Sequence, residues 1–480
     1  MDIHEYGSFD AVALSELIKK GEVTAAEVEA VAREAILAAD AELNGLALPL
    51  FDTALAHAGD GPFAGVPFLI KDHGPVAEGM PFFLGSRALP GIPAQRDTDL
   101  MTRFRAAGLR TLGLTAAPEM ALSFATEPLR SGPVRNPYDL RVGVGGSSGG
   151  AAALVAAGAV PVAHASDGAG SIRVPASCCG LVGLKPSRGR VTSGPDLGEP
   201  MLGMAAEFVL TRTVRDTAHL LDAVHGPGLG DKYTAPPPRR RYVEELTAAP
   251  GRLRVALTTD AWSGVTVEEE VATATLEAGR MLEHLGHAVS LATLKVDWDA
   301  MLRAITLEAV VIASMLIRAP RPPDPERMEA VSRRLLRLAE GYTAMDVMNA
   351  LDAQNRVTRS VAAFFEEYDL LVTPTLGRLP AEHGTLRYDD PEHTWASWLD
   401  DMFAYGPFTA VFNVTGQPAI SLPLGVSRSG LPIGVQFVAP YGREDQLIQV
   451  AAQLSPEPPR GPGGPLGAPR SGWPTGPAAP

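Results

Sequence analysis

Cysteine and lysine are both scarce in this chain of 480 residues. The two cysteines, Cys178 and Cys179, are adjacent, and neighbouring residues rarely reach the Cα and Cβ separations of a normal disulfide, so no disulfide framework is expected. Basic charge is short as well: Lys and Arg total 41 against 55 Asp and Glu, a formal net charge of -14. Such a surface repels phosphate backbones and anionic lipid, which argues against nucleic acid or a membrane as partner. The longest apolar stretch read from the sequence, Gly149 to Ala165, is dominated by Ala and Gly, contains Pro161 and is shorter than the ~20 residues of a membrane helix. The N-terminus, Met-Asp-Ile-His-Glu, lacks the positive region and apolar run of an export signal, so the cytoplasm is the expected location.

What is present is a large core. Hydrophobic residues make up 46% and charged residues 20%, a balance that supports a folded body. Helical patterning opens the chain at about residues 8–40, where Thr24-Ala-Ala-Glu27 reads as a capping box. Short apolar runs at 65–70, 111–114, 160–163, 181–184 and 253–257 read as buried strands, and Asp99–Ala107, Glu268–Leu285 and Asp346–Phe365 as helices. Their alternation predicts an α/β fold with a covered sheet. The stretch at about 226–250, with Pro236-Pro-Pro-Arg-Arg-Arg241, reads as an exposed connector. Residues 456–480 hold nine Pro and six Gly and are expected to be disordered.

The densest chemical signal runs from Gly143 to Arg173. Ser147 and Ser148 sit in Gly143-Val-Gly-Gly-Ser-Ser-Gly-Gly150, and Ser171 in Ser166-Asp-Gly-Ala-Gly-Ser-Ile-Arg173. Successive loop N–H groups can form a nest for developing negative charge, which gives Gly168-Ala-Gly-Ser171 the character of an oxyanion hole. Gly145-Gly-Ser-Ser-Gly149 matches the hydrolase nucleophile elbow in letters, but Asn136 to Gly143 reads as a turn where that motif needs a strand. A phosphate cradle lacks its Gly-Lys-Ser/Thr. There are only six lysines (Lys19, Lys20, Lys71, Lys185, Lys232 and Lys295) against 35 arginines. Lys71 ends an apolar run, where it is either paired with an acid such as Asp72 or held neutral and used as a base.

These segments resemble the amidase signature family. The resemblance is carried by Gly65-Val-Pro-Phe-Leu-Ile-Lys-Asp72, Asn136-Pro-Tyr-Asp139, Gly145-Gly-Ser-Ser-Gly-Gly150, Asp167-Gly-Ala-Gly-Ser-Ile-Arg173, Gly183-Leu-Lys-Pro-Ser-Arg-Gly-Arg190, Tyr368-Asp-Leu-Leu-Val-Thr-Pro-Thr375, Phe412-Asn-Val-Thr-Gly-Gln-Pro-Ala419 and Gly430-Leu-Pro-Ile-Gly-Val-Gln436. It spans roughly residues 10–450. It implies one α/β domain over 1–455, with a catalytic core at about 60–225 and a large mixed, mostly parallel twisted sheet covered by helices on both faces. It also implies an amidase with no cofactor and no metal, acting on a small-molecule amide as a monomer or homodimer. Ser171 corresponds to the acyl-accepting nucleophile, Ser147 to a proton-relaying serine after a cis peptide bond, and Lys71 to the base. Gly168, Ala169, Gly170 and Ser171 correspond to the oxyanion hole, and Ser148, Asp167 and Arg173 read as the network that fixes both loops.

Three departures bear on substrate: Asp-Gly-Ala-Gly-Ser replaces the usual Asp-Thr-Gly-Gly-Ser, Thr115-Ala-Ala-Pro-Glu119 replaces Thr-Asn-Met-Ser/Pro-Glu, and Val144 stands where Pro is common. Val162 to Ser177 is similar to the subgroup that hydrolyses the cyclic dimer of 6-aminohexanoate. A glutaminase-type amidotransferase subunit and an amidase or esterase of peptide-amide or aryl-amide substrates are the alternatives. The pocket is expected from residues 298–405, with Trp395, Trp398, Met402, Phe403 and Tyr405 as candidates. His73 reads as a lone polar loop residue, His284 and His287 as a helix end, and Cys178 and Cys179 as buried packing.

Overall fold

The computed structural model describes residues 1–73, 77–91, 93–319 and 321–455; the stretch 456–480 expected to be disordered lies outside them. Three helices, Ile3–Ser8, Ala11–Lys20 and Ala25–Leu43, open the chain. The capping box forms as read: Thr24 Oγ1 accepts from Glu27 N, and Glu27 Oε2 accepts from Thr24 N. Each bond satisfies one of the amides that a helix start leaves without an internal partner.

Twelve strands follow among the described residues: β1 (Pro67–Lys71), β2 (Arg110–Thr115), β3 (Arg135–Asn136), β4 (Asp139–Gly143), β5 (Val162–Asp167), β6 (Val182–Lys185), β7 (Ala206–Thr211), β8 (Arg254–Leu257), β9 (Ala288–Leu291), β10 (Leu370–Pro374), β11 (Ala419–Val426) and β12 (Pro432–Val438). Ten of them form one mixed sheet in the order β2-β1-β5-β7-β6-β11-β12-β10-β8-β9. The parallel pairs gather at the two flanks, β2-β1-β5 and β10-β8-β9. The centre is antiparallel. Strands β1, β5, β10 and β12 are buried at every residue, as strands are when both faces of their sheet are covered.

Two sequence expectations change. Asn136 to Gly143 is not a turn alone: β3 and β4 pair as a separate antiparallel ribbon, so a short strand does precede the Ser147 loop, though outside the main sheet. Gly149–Ala165 is not the apolar segment most like a membrane span either. The helix Trp298–Ile317 has a mean hydropathy of 1.9 over a span-length window, half of it buried inside the fold. Its inward face is Ala300, Met301, Ala304, Ile305, Leu307, Glu308, Ala309, Val310 and Ala313. The stretch 226–250 runs along the surface but is tied down, with Gly226 N donating to Arg190 O and Arg190 Nη1 to Pro236 O.

The topology places the chemistry. β1 and β5 are parallel neighbours, so their C-terminal ends bring Lys71 beside Ser166 and Asp167 in the crevice where α/β sheets bind ligands. The Ser147 loop enters from the ribbon and leaves into the buried helix Gly149–Ala156.

Candidate active site

Lys71 is fully buried. Its Nζ lies 2.8 Å from Ser147 Oγ and 2.7 Å from Ser166 Oγ. Asp72 is not its partner: that carboxylate accepts from Phe83 N at 2.7 Å and Gly85 N at 3.0 Å. With hydroxyls and no carboxylate in contact, burial pulls the Lys71 ammonium down to about 7, against the opposing pull of Glu207, Asp167 and Asp72 at longer range. Lys185 is equally buried and falls to about 7 as well. Its Nζ bonds the Pro186 carbonyl at 2.8 Å, so it has no hydroxyl to deprotonate. Both lysines can be neutral near pH 7, and the hydroxyl contacts single out Lys71.

The lysine is held from behind. His164 Nδ1 accepts from Lys71 N at 3.3 Å, and Nε2 lies 2.8 Å from Glu207 Oε2. Burial lowers the His164 pKa, so the ring is neutral at pH 7. An Nδ1 that accepts requires the proton on Nε2, donated to Glu207.

The first serine loop is packed against backbone. The Gly146–Ser147 peptide is cis, as the family resemblance implies. A Cβ at Gly146 would sit 2.5 Å from the Ser123 carbonyl oxygen, so only glycine fits there. Thr126 Oγ1 donates to Gly145 O at 2.8 Å. Ser148 Oγ ties the loop to β5 through Ser166 O at 3.2 Å and Ser166 N at 3.3 Å.

The second loop is clamped between Asp167 and Arg173, both fully buried. Arg173 Nε and Nη2 bond Asp167 Oδ2 and Oδ1 at 2.9 and 2.8 Å, a bidentate pair. Arg173 also donates to Thr409 O, Gln436 Oε1 and Asn413 Oδ1. Asn413 Nδ2 donates to Asp167 O at 2.8 Å. Burial alone would raise the Asp167 carboxyl, but Arg173, Lys185 and Asn413 hold it at about 2. Asp167 Oδ2 further accepts from Ile172 N, closing the turn over residues 168–171. Thr409 Oγ1 takes the Ala169 carbonyl at 2.6 Å. The amides of Gly168, Ala169, Gly170 and Ser171 donate to no protein acceptor among the described residues, as an oxyanion site requires.

Ser147, Ser166, Gly168, Ala169 and Ser171 line one cavity of about 580 Å³, open mouth included. Lys71 thus sits behind the Ser147 hydroxyl while Ser171 opens onto the same space. Trp395 and Met402 from the expected region line this cavity. Trp398, Phe403 and Tyr405 are buried elsewhere, Trp398 donating to Leu122 O and Tyr405 Oη lying 3.4 Å from Cys178 Sγ. His73, read as a lone polar loop residue, does line the cavity, and burial lowers its pKa to about 3. His287 is structural, accepting from Leu253 N and meeting Gln453 Oε1. Cys178 and Cys179 are free and buried, with the Cys178 thiol raised to about 12 by burial, so neither is a thiolate nucleophile. Sequence reasoning did not single out Glu207 or Glu308, which also line the cavity. Glu308 had a signal: it is the one charged residue between Ala304 and Ile317.

Residues 22–448 match the family model described as Amidase. The chain is 39% identical over 465 residues to the 6-aminohexanoate-cyclic-dimer hydrolase of Paenarthrobacter ureafaciens, covering 93% of this chain and 94% of that protein. A solved structure of 6-aminohexanoate cyclic dimer hydrolase with substrate superposes with a TM-score of 0.85 at 38% identity, over 93% of this chain and 96% of that one. A putative amidase of Mycobacterium leprae is 37% identical over 93% of this chain and 95% of its own length.

Proposed function

This chain belongs to the amidase family and is an amide hydrolase, and on that premise we propose that it works through an acyl-enzyme on Ser171, with Ser147 passing protons to and from Lys71. The observation that carries this is Lys71 Nζ at 2.8 Å from Ser147 Oγ, with Ser147 and Ser171 opening on one cavity. A serine hydroxyl needs a base to become a nucleophile, and a lysine serves only when neutral. Ser171 Oγ attacks the carbonyl carbon as its proton passes to Ser147 and the Ser147 proton passes to Lys71. The amides of residues 168–171 hold the resulting oxyanion. The proton then returns through Ser147 to the nitrogen as the carbon–nitrogen bond breaks, since an amide anion is too basic to leave alone. Water, deprotonated by the same route, releases the acid.

The proposed substrates are small or cyclic amides. Support comes from the cavity walls, where Phe124, Ile305, Ile312, Trp395 and Met402 offer apolar surface, and from the likeness to proteins named for a cyclic dimeric amide. A glutaminase would have to seat a free α-carboxylate, yet no Lys or Arg is among the described lining residues. The test is a panel of linear, cyclic and aryl amides with matching esters against the wild type and Ser171→Ala, together with fluorophosphonate labelling. Turnover and labelling should vanish in Ser171→Ala; either one surviving refutes the assignment.

A further inference from the structure

Glu308 faces the oxyanion loop from the helix Trp298–Ile317. It is 6% exposed, and its Oε2 is buried with no hydrogen-bond partner among the described residues. A Cβ placed on Gly168 would lie 2.3 Å from Glu308 Oε1, so the carboxyl touches the backbone proposed to hold the oxyanion. Around it the cavity presents Ile305, Ala309, Ile312 and Met201. A buried polar group without a partner is costly, and an ionised one far more so unless a cation meets it.

The other charged and titratable groups near this carboxyl supply no cation. Asp167 repels its charge, Glu207 on the cavity wall is committed to His164, and the His73 ring is held neutral by burial. Lys71 points its Nζ to Ser147 and Ser166. Burial and Asp167 push the Glu308 carboxyl well above its ordinary range, and an incoming positive charge is what would favour its ionised form.

We propose that Glu308 is a specificity residue that receives an ammonium group of the substrate, so that the enzyme prefers amides bearing a primary amine close to the scissile bond over neutral or carboxylate-bearing analogues of equal size. The inference rests on the reading of this cavity as the amide site. It does not depend on which side of the scissile bond carries the amine.

Ligand-detected NMR titrations of the full chain with n-butylammonium, 1-butanol and butyrate test it without turnover. Wild type should bind the ammonium at least tenfold more tightly than the alcohol and bind butyrate least. Glu308→Gln keeps the shape and one acceptor oxygen but removes the charge, and should bring ammonium and alcohol within threefold. Equal binding of all three by wild type overturns the proposal without recourse to any variant. Retention of the ammonium preference in Glu308→Gln also overturns it. Fluorophosphonate labelling in the same samples reads the other hypothesis separately. Labelled Ser171 with charge-blind binding refutes only the Glu308 assignment, whereas Glu308-dependent binding without labelling refutes only the acyl-enzyme.

Discussion

The base assigned to Lys71 makes the pH dependence of acylation a quantitative matter. Moving its pKa from 10.5 to about 7 corresponds to about 5 kcal/mol in favour of the neutral amine. With the base at about 7, roughly half of the free enzyme is competent at pH 7 and roughly a tenth at pH 6. An unshifted lysine would leave only about 1 molecule in 3,000 competent at pH 7. The sign follows from the role: activity requires the deprotonated form, so it is present above the folded pKa and lost as pH falls through it. The ratio kcat/KM for a neutral amide, measured between pH 5.5 and 10 in buffers of constant ionic strength, should fall about tenfold per pH unit below 6 and flatten above 8, because it reports the free enzyme's essential groups. The second-order rate of fluorophosphonate labelling should follow the same curve. Lys71→Arg keeps the charge but cannot deprotonate, and should lose both signals at every pH. A profile still climbing tenfold per unit between pH 8 and 10, or an active Lys71→Arg enzyme, would show that Lys71 is not a base of pKa about 7.

Four further outcomes are expected. Arg173→Met leaves Asp167 buried and unpaired, which should cost about 3 to 5 kcal/mol in chemical denaturation at pH 7; a loss below 1 kcal/mol would mean the clamp is not structural. Asp167 is held at about 2 against an ordinary 3.8, so the stability it contributes is present above pH 4 and lost as pH falls towards 2, and this acid limb should be absent from denaturation curves of Asp167→Asn. At Gly170 φ is 145° and a Cβ would lie 2.4 Å from Thr409 Oγ1. Gly170→Ala should therefore misplace the oxyanion amides and lower kcat about 100-fold or more, whereas Cys179→Ala should leave kcat within a few fold and cost only stability.

Local sequence carried far. Lys71, Ser147 and Ser171 were legible as candidates because a Lys ending an apolar strand must be paired or neutral and because the order of eight motifs named the family, whose resemblance supplied their proposed roles. The five strands and three helices read from apolar periodicity all formed, since each pattern records which residues a helix or strand can bury. The ribbon β3–β4 escaped because Asn136-Pro-Tyr-Asp carries turn residues, and its second strand, with Asp139, Leu140 and Arg141 outside the buried set, has no apolar signature.

What the amino-acid order determined was the inventory: one scarce lysine at a strand end, two serine loops, an acid and an arginine bracketing one of them. Partnership was settled by the fold. Asp72 is next to Lys71 in the chain yet caps the amides of Phe83 and Gly85, while Ser147, 76 positions away, takes the lysine. Lys71 and Lys185 are matched in burial and in how far burial lowers them, and the neighbouring hydroxyls alone single out Lys71 as the proposed base. Glu308 meets the oxyanion loop across 140 residues, joined by helix packing that no local pattern encodes. Alternation and propensity act over a few residues, whereas desolvation and charge pairing are set by whatever the fold brings within a few ångströms.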